Sequence, residues 1–239
     1  MGVMSRDVIA VTGPDAATYL QGQLSQDVLA LAGGASAPTL LLEPSGKLGF
    51  WFGVTRTGDE SFRLDVDGGY GEAVVARLQR FKIRTAADID LVPGDDGDDG
   101  DDGAPEVERI RAGIPKLGAE IVDGVIPAEL GHAVIEASVS FTKGCYTGQE
   151  LVARVDSRGG NVPRHLRRLD IDGDVVPPVG TELVVDDKVV GTLTSVASTP
   201  EGGAVALAFV ARAVVPPATV ELRWAAGSAS AQVTEVPSA

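Results

Sequence analysis

The stretch Lys143-Gly144-Cys145-Tyr146-Thr147-Gly148-Gln149-Glu150 carries the chain's one cysteine and sets it just ahead of a helical pattern. Thr147 and Glu150 have the Thr-x-x-Glu spacing of a capping box, which predicts Thr147 as N-cap and Glu150 as the third helical residue. Tyr146 and Leu151 fall at the two positions of a hydrophobic staple. The first-turn N–H groups of such a helix favour negative charge in the loop before it. With Lys143 two residues away, the Cys145 thiol is placed to lose its proton more readily than a free thiol. A lone cysteine is more often a small buried apolar residue, and it cannot ligate an iron–sulfur cluster alone. The capped helix start and the lysine favour the reactive thiol, as a redox group or as one ligand of a shared, transient cluster.

The charge pattern points to the same place. The chain is acidic, with a net charge of −14, which argues against nucleic acid as a main partner. Yet residues 143–168 hold Lys143, Arg154, Arg158, Arg164, Arg167 and Arg168 against Glu150 and Asp156, with Asp170 just beyond. One basic island in an acidic chain suits a small anion; the plain alternative is a set of arginines paired with nearby carboxylates. Other chemistry lacks a pattern. His132 and His165 have no partners at metal spacing, and neither a P-loop nor a Gly-x-Gly-x-x-Gly occurs. No metal site is expected. The longest apolar stretch, 204–215, is interrupted by Arg212 and too short to span a bilayer, so no membrane partner is expected. A single cysteine and no apolar run of signal-peptide length suggest a cytoplasmic protein.

These residues need elements to hold them. Strand patterns at 8–11, 39–42, 48–55 and 61–66, helical patterns from Asp15 to Leu24 and at 71–81, and a closing strand through Ile89 predict an α+β layer. Asp15 is the expected cap of the first helix. Residues 94–103 repeat Gly-Asp-Asp, which predicts a disordered linker; the aspartates lack EF-hand spacing for calcium. After Pro163, short strands at 166–171, 182–185, 188–193, 205–210, 220–224 and 231–236 predict a small β-barrel. The expected division is an α+β domain at 1–93, the acidic linker at 94–104, a second α+β segment with the cysteine at 105–165, and the barrel at 166–239.

The octet resembles the K-G-C-Y-x-G-Q-E signature of the YgfZ family of folate-binding proteins, relatives of the glycine-cleavage T-protein. Further similarity runs through residues 11–31, including Tyr19-Leu20-Gln21-Gly22-Gln23-Leu24-Ser25-Gln26-Asp27, and through Leu42-Glu43-Pro44-Ser45-Gly46-Lys47. Gly113-Ile114-Pro115, Pro127-Ala128-Glu129-Leu130-Gly131 and Gly191-Thr192-Leu193-Thr194-Ser195 continue it. The resemblance implies a T-protein-like folate-binding α+β domain followed by a β-barrel. It implies tetrahydrofolate as cofactor and iron–sulfur enzymes or assembly proteins as partners. Asp27 would bind the pterin's amino group and ring N–H, as carboxylates do when accepting two bonds. Lys143, Tyr146, Gln149, Glu150, Arg154 and Arg158 complete the expected binding set, with Cys145 as the working thiol.

Two departures bear on activity. Where the T-protein carries an aspartate pair that serves aminomethyl transfer, this chain has Phe50 and Trp51, which cannot hold a carboxylate charge. Between Leu91 and Glu106, where family members have a further subdomain, it has little beyond the acidic run. Three functions stay open on the sequence: a folate-linked accessory of iron–sulfur assembly or repair, a one-carbon transferase, and an anion-binding scaffold without folate.

Overall fold

The computed structural model describes residues 6–92, 106–157 and 161–237. The acidic run read as a linker and Arg158 lie outside the described residues. In chain order the strands are β1 (Arg6–Thr12), β2 (Ser36–Leu42), β3 (Leu48–Gly58), β4 (Ser61–Asp67), β5 (Asp88–Val92), β6 (Arg164–Ile171), β7 (Glu182–Val185), β8 (Lys188–Ser198), β9 (Ala204–Ala211), β10 (Ala218–Trp224) and β11 (Gly227–Thr234). The helices are α1 (Ala16–Gln23), α2 (Gly71–Arg80), α3 (Glu106–Ala112), α4 (His132–Ser138) and α5 (Gln149–Ser157). None is long and apolar enough to cross a membrane.

The described residues form two compact units. The first takes 6–92, 121–127 and 134–157; the second takes 106–120, 128–133 and 161–237. The middle of the chain, 105–165, therefore supplies residues to both.

In the first unit five antiparallel strands run in the order β2-β3-β4-β1-β5. Alternation writes the pairing: Phe62, Leu64 and Val66 of β4 are buried while Arg63 and Asp65 between them are not. Val74 and Leu78 of α2, one turn apart, are buried, as are Tyr19 and Leu20 of α1. Consecutive burial of Thr39, Leu40, Leu41 and Leu42 marks β2 as covered on both faces. Asp15 does not cap α1 as expected. Its side chain makes no cap bond; Oδ2 accepts from the Ala86 N–H at 2.7 Å and fastens the segment that leads into β5.

In the second unit the six expected C-terminal strands close into a barrel ordered β10-β11-β6-β9-β8-β7. Its interior is filled by Leu169, Leu183, Leu193, Leu222 and Val233, with Ala206, Ala208 and Ala231 where strands draw close. A polar cluster is also sealed in. Glu120 is fully buried and Arg109 of α3 nearly so. Arg109 holds Glu106 by two bonds of 2.7 and 2.9 Å, reaches Glu120 at 3.2 Å and donates to the Ser195 hydroxyl at 2.6 Å. Ser195 and Thr194 each donate to Glu120 at 2.6 Å. Neighbours on a regular strand point to opposite faces, but the β8–β9 register shifts between Leu193 and Ser195. The bulge lets both hydroxyls serve one carboxylate.

This cluster yields a stability prediction. Arg109→Met strands the Glu120 charge inside the protein and should cost about 3–5 kcal/mol in chemical denaturation. Arg111→Met, which removes only exposed pairs to Glu108 and Glu201, should leave the midpoint nearly unchanged.

Candidate functional site

The site is built on the exit of α1. A helix leaves its last carbonyls without intrahelical donors, and here the chain turns sharply through Leu24-Ser25-Gln26-Asp27. Side chains within the turn meet part of the demand. Gln21 donates to Asp27 Oδ1 at 2.9 Å and accepts from the Val28 N–H, while Gln26 accepts from the Asp27 N–H and donates to Ala137 O of α4. Buried Ser25 receives the Leu40 N–H and donates to Ser138 O.

Three further carbonyls converge on one cation. Lys143 Nζ donates to Gln21 O, Leu24 O and Gln26 O at 2.7, 2.7 and 2.8 Å. Those three bonds use every N–H of the ammonium group. Lys143 is thus the C-terminal cap of α1, and it has no donor left for an external anion. Its ammonium also lies 5.2 Å from the centroid of the buried Tyr146 ring. Burial pulls Lys143 down to about 8, with the Asp27 carboxylate acting in the opposite direction. Three carbonyls likewise favour the charged form, because a neutral amine has two N–H groups for three acceptors. At neutral pH the group carries its proton. Burial pushes the Tyr146 phenol up to about 12.

Two backbone bonds flank the lysine, Ser140 N–H to Ser25 O and Thr147 N–H to Gly22 O, both 3.0 Å. Between them Cys145 is free and exposed. It is not the small buried residue of the plain alternative.

The helix after it begins later than expected. The capping box does not form: α5 starts at Gln149, the Thr147 hydroxyl faces Gly22 O at 3.5 Å, and Glu150 pairs with Arg154 at 2.6 Å instead of reaching back. Gln149 supplies a turn closure of its own, accepting from the Tyr146 N–H at 3.2 Å. The obstacle is Gly148, whose φ of +81° is not helical. A Cβ there would lie 2.6 Å from the Glu43 carbonyl oxygen and 2.8 Å from Leu42 Cβ. Gly46 answers it from the β2–β3 turn, with φ +82° and room for a Cβ only 2.3 Å from Leu151 Cβ. The octet and the Pro44-Ser45-Gly46-Lys47 turn therefore interlock glycine against glycine.

Asp27 is half-buried, and the bonds it accepts, from Gln21 and the Ala30 N–H, both go to Oδ1. Among the described residues nothing donates to Oδ2. The basic island does not assemble as a free patch. Arg154 pairs with Glu150, and in the second unit Arg164 holds Glu129, Arg167 holds Glu235 and Arg168 holds Asp170. For these residues the paired alternative is what the structure contains. Phe50 and Trp51 lie half-buried on β3, and the Trp51 indole N–H donates to the Ser138 hydroxyl at 2.9 Å. Sequence reasoning missed Ser25 and Ser138, because no motif or spacing marks either hydroxyl and their roles show only in the bonds that link them to Leu40, to each other and to Trp51. Among the described residues no group of three or more His, Cys, Asp or Glu could hold a metal ion.

No family model matches the sequence. An uncharacterized protein of Haemophilus influenzae is 31% identical over 188 residues, covering 64% of this chain and 67% of that one. A mitochondrial iron–sulfur cluster assembly factor IBA57 homologue from Pyricularia oryzae is 26% identical over 65% of this chain; the match spans about half, 53%, of its length. A tRNA-modifying protein YgfZ from Yersinia pestis is 42% identical over 74 residues, 31% of this chain and 22% of its own. The crystal structure of glycine cleavage system aminomethyltransferase T from Bartonella henselae superposes with a TM-score of 0.81 over 99% of this chain and 85% of that chain, at 17% identity.

The local geometry separates two substitutions that the capping-box reading would rank the other way. Thr147→Ala should change stability by less than about 0.5 kcal/mol, where loss of a true N-cap costs about 1. Gly148→Ala should cost about 2–4 kcal/mol, since it adds left-handed strain to a backbone collision. Urea denaturation of both variants checks the order.

Proposed function

The chain belongs to the superfamily of the aminomethyltransferases and their YgfZ and IBA57 relatives, and from that membership we propose a tetrahydrofolate-linked accessory protein for iron–sulfur cluster assembly or repair. The observation that carries the reading is the exposed thiol of Cys145, held on a loop bonded directly to the α1–Asp27 edge. The octet's likeness to the YgfZ signature and the name of the IBA57 relative support the iron–sulfur side.

Folate fits this edge in one respect that the geometry makes specific. Asp27 keeps Oδ2 open for a pterin N–H donor, while Oδ1 is held by Gln21. A pterin that uses both oxygens must displace the Gln21 amide. Lys143 would not touch the ligand, because its donors are spent. Recognition of the glutamate tail then asks Arg154 to exchange its exposed Glu150 partner for the tail, with Arg158 as the second cation. Bound folate would supply a one-carbon carrier; the chain's own contribution is orientation and a thiol. The transferase reading lacks its acid, since Phe50 and Trp51 are aromatic and the Trp51 N–H is already committed to Ser138.

Three measurements test the proposal. Calorimetric titration should show tetrahydrofolate binding that Asp27→Ala weakens about ten- to a hundredfold, the worth of a charge-assisted bond. The purified protein should transfer no aminomethyl group to tetrahydrofolate. Cys145→Ser should fold and bind folate normally, yet fail to restore iron–sulfur enzyme activity in cells lacking the parent. No folate binding would leave the scaffold reading. Full complementation by the serine variant would remove the thiol from the mechanism.

A further inference from the structure

We propose that Lys143 is a latch: its ammonium fills a cage of three carbonyls at the α1 exit, and through it the hold on the Cys145 loop depends on the state of Asp27. The proposal deepens the functional reading above, but its test needs neither folate nor cluster chemistry.

The cage is a cation site that the chain occupies with its own side chain. Gln21 O, Leu24 O and Gln26 O aim at one point from 2.7–2.8 Å. Without a cation there, three carbonyl dipoles face each other with their oxygen ends together, and the turn has a reason to open. The same turn receives the two backbone bonds that flank Lys143, from Ser140 N–H and Thr147 N–H. Lys143 therefore sits at the middle of a strap whose two ends are stitched to the segment it caps. Cys145 lies on that strap between Lys143 and Thr147, and its exposure means that its own packing does not hold it.

Asp27 is the acid whose field acts on the ammonium. It shares its Oδ1 with Gln21, and the Gln21 carbonyl is one wall of the cage. The face of the Tyr146 ring is the other group near the ammonium, and that phenol is neutral. A ligand that draws on the Asp27 charge and displaces the Gln21 amide weakens two supports of the latch together. By linkage, opening the latch changes affinity for such a ligand by the same factor. The thiol loop and the carboxylate edge become one coupled device.

The test is chemical rescue. In Lys143→Ala the cage remains and the cation is gone. Amide hydrogen exchange of Ser140 and Thr147, measured at constant pH on the full chain, should accelerate about tenfold or more relative to the parent. Adding n-propylammonium should restore protection in a saturable way. Tetramethylammonium, equal in charge but without an N–H, should not. Unchanged exchange in the variant overturns the latch, and so does equal restoration by both cations, which would report ionic strength alone. Should Lys143→Ala fail to fold, Asp27→Asn gives the second reading, because it keeps cage and lysine and removes only the charge. Faster exchange at Ser140 and Thr147 supports the coupling; exchange identical to the parent overturns it. Loss of folate binding or of the Cys145→Ser phenotype would sink the functional reading and leave these outcomes standing.

Discussion

A helix that ends in a tight turn leaves backbone carbonyls that must find donors, and at the end of α1 one lysine supplies three of them. Much else in the first unit follows from that demand. The cation must come from a loop far along the chain, so residues 139–147 are laid against 21–26. That placement aligns Ser140 with Ser25 and Thr147 with Gly22. It also sets where α5 can begin, since the chain must pass Glu43 and Leu42 closely before it turns. Only a glycine fits there, and Gly148 occupies it with a positive φ. Cap, strap and glycine contact are successive consequences of one unsatisfied set of acceptors.

The second unit solves a similar problem with the signs reversed. Glu120 is a buried anion, and it collects the Arg109 guanidinium, the Lys116 N–H and two hydroxyls from the bulged stretch of β8. Neither cluster makes the interior cheaper than an apolar one would. Each fixes a geometry, because a charge held by three directed partners at Lys143, or by four at Glu120, tolerates few alternatives. In both units the residues that carry the resemblance in sequence are mainly those that satisfy buried polar groups. Thr194-Ser195 and Lys143 belong to this class, whereas Gly46 and Gly148 make room for a close approach of the chain.

Much of the fold was legible because alternation and turn residues write strands directly. Most strands of the sheet and of the barrel appear in sequence as period-two patterns broken by Gly, Pro and Asp, while β2 and β9 appear as continuous apolar runs. The candidate site was less legible, for identifiable reasons. Thr147 and Glu150 have capping-box spacing, but the residue between them that should open the helix is Gly148, and its required φ overrides the box. Arginines crowded between 143 and 168 look like an anion site until distant carboxylates such as Glu129 and Glu235 arrive to pair them. Lys143 read as a ligand donor because carbonyl oxygens have no sequence signature. A lysine that caps a helix end 119 residues earlier is invisible to any spacing rule.

These assignments also narrow what the octet can do chemically. Lys143 caps α1, Gln149 closes the turn onto Tyr146, Gly148 makes room for the β2–β3 turn, and Glu150 is paired with Arg154. Thr147 is tied through its backbone to Gly22. Cys145 is free and exposed, and among the described residues no contact explains its presence in the octet. Structural demand therefore accounts for most of the octet without invoking a reaction. It does not account for a thiol at an exposed position, where serine or alanine would meet every packing requirement seen here. Sensitivity of Lys143 or Gly148 to substitution would accordingly speak to folding, whereas sensitivity of Cys145 with folding intact would speak to chemistry.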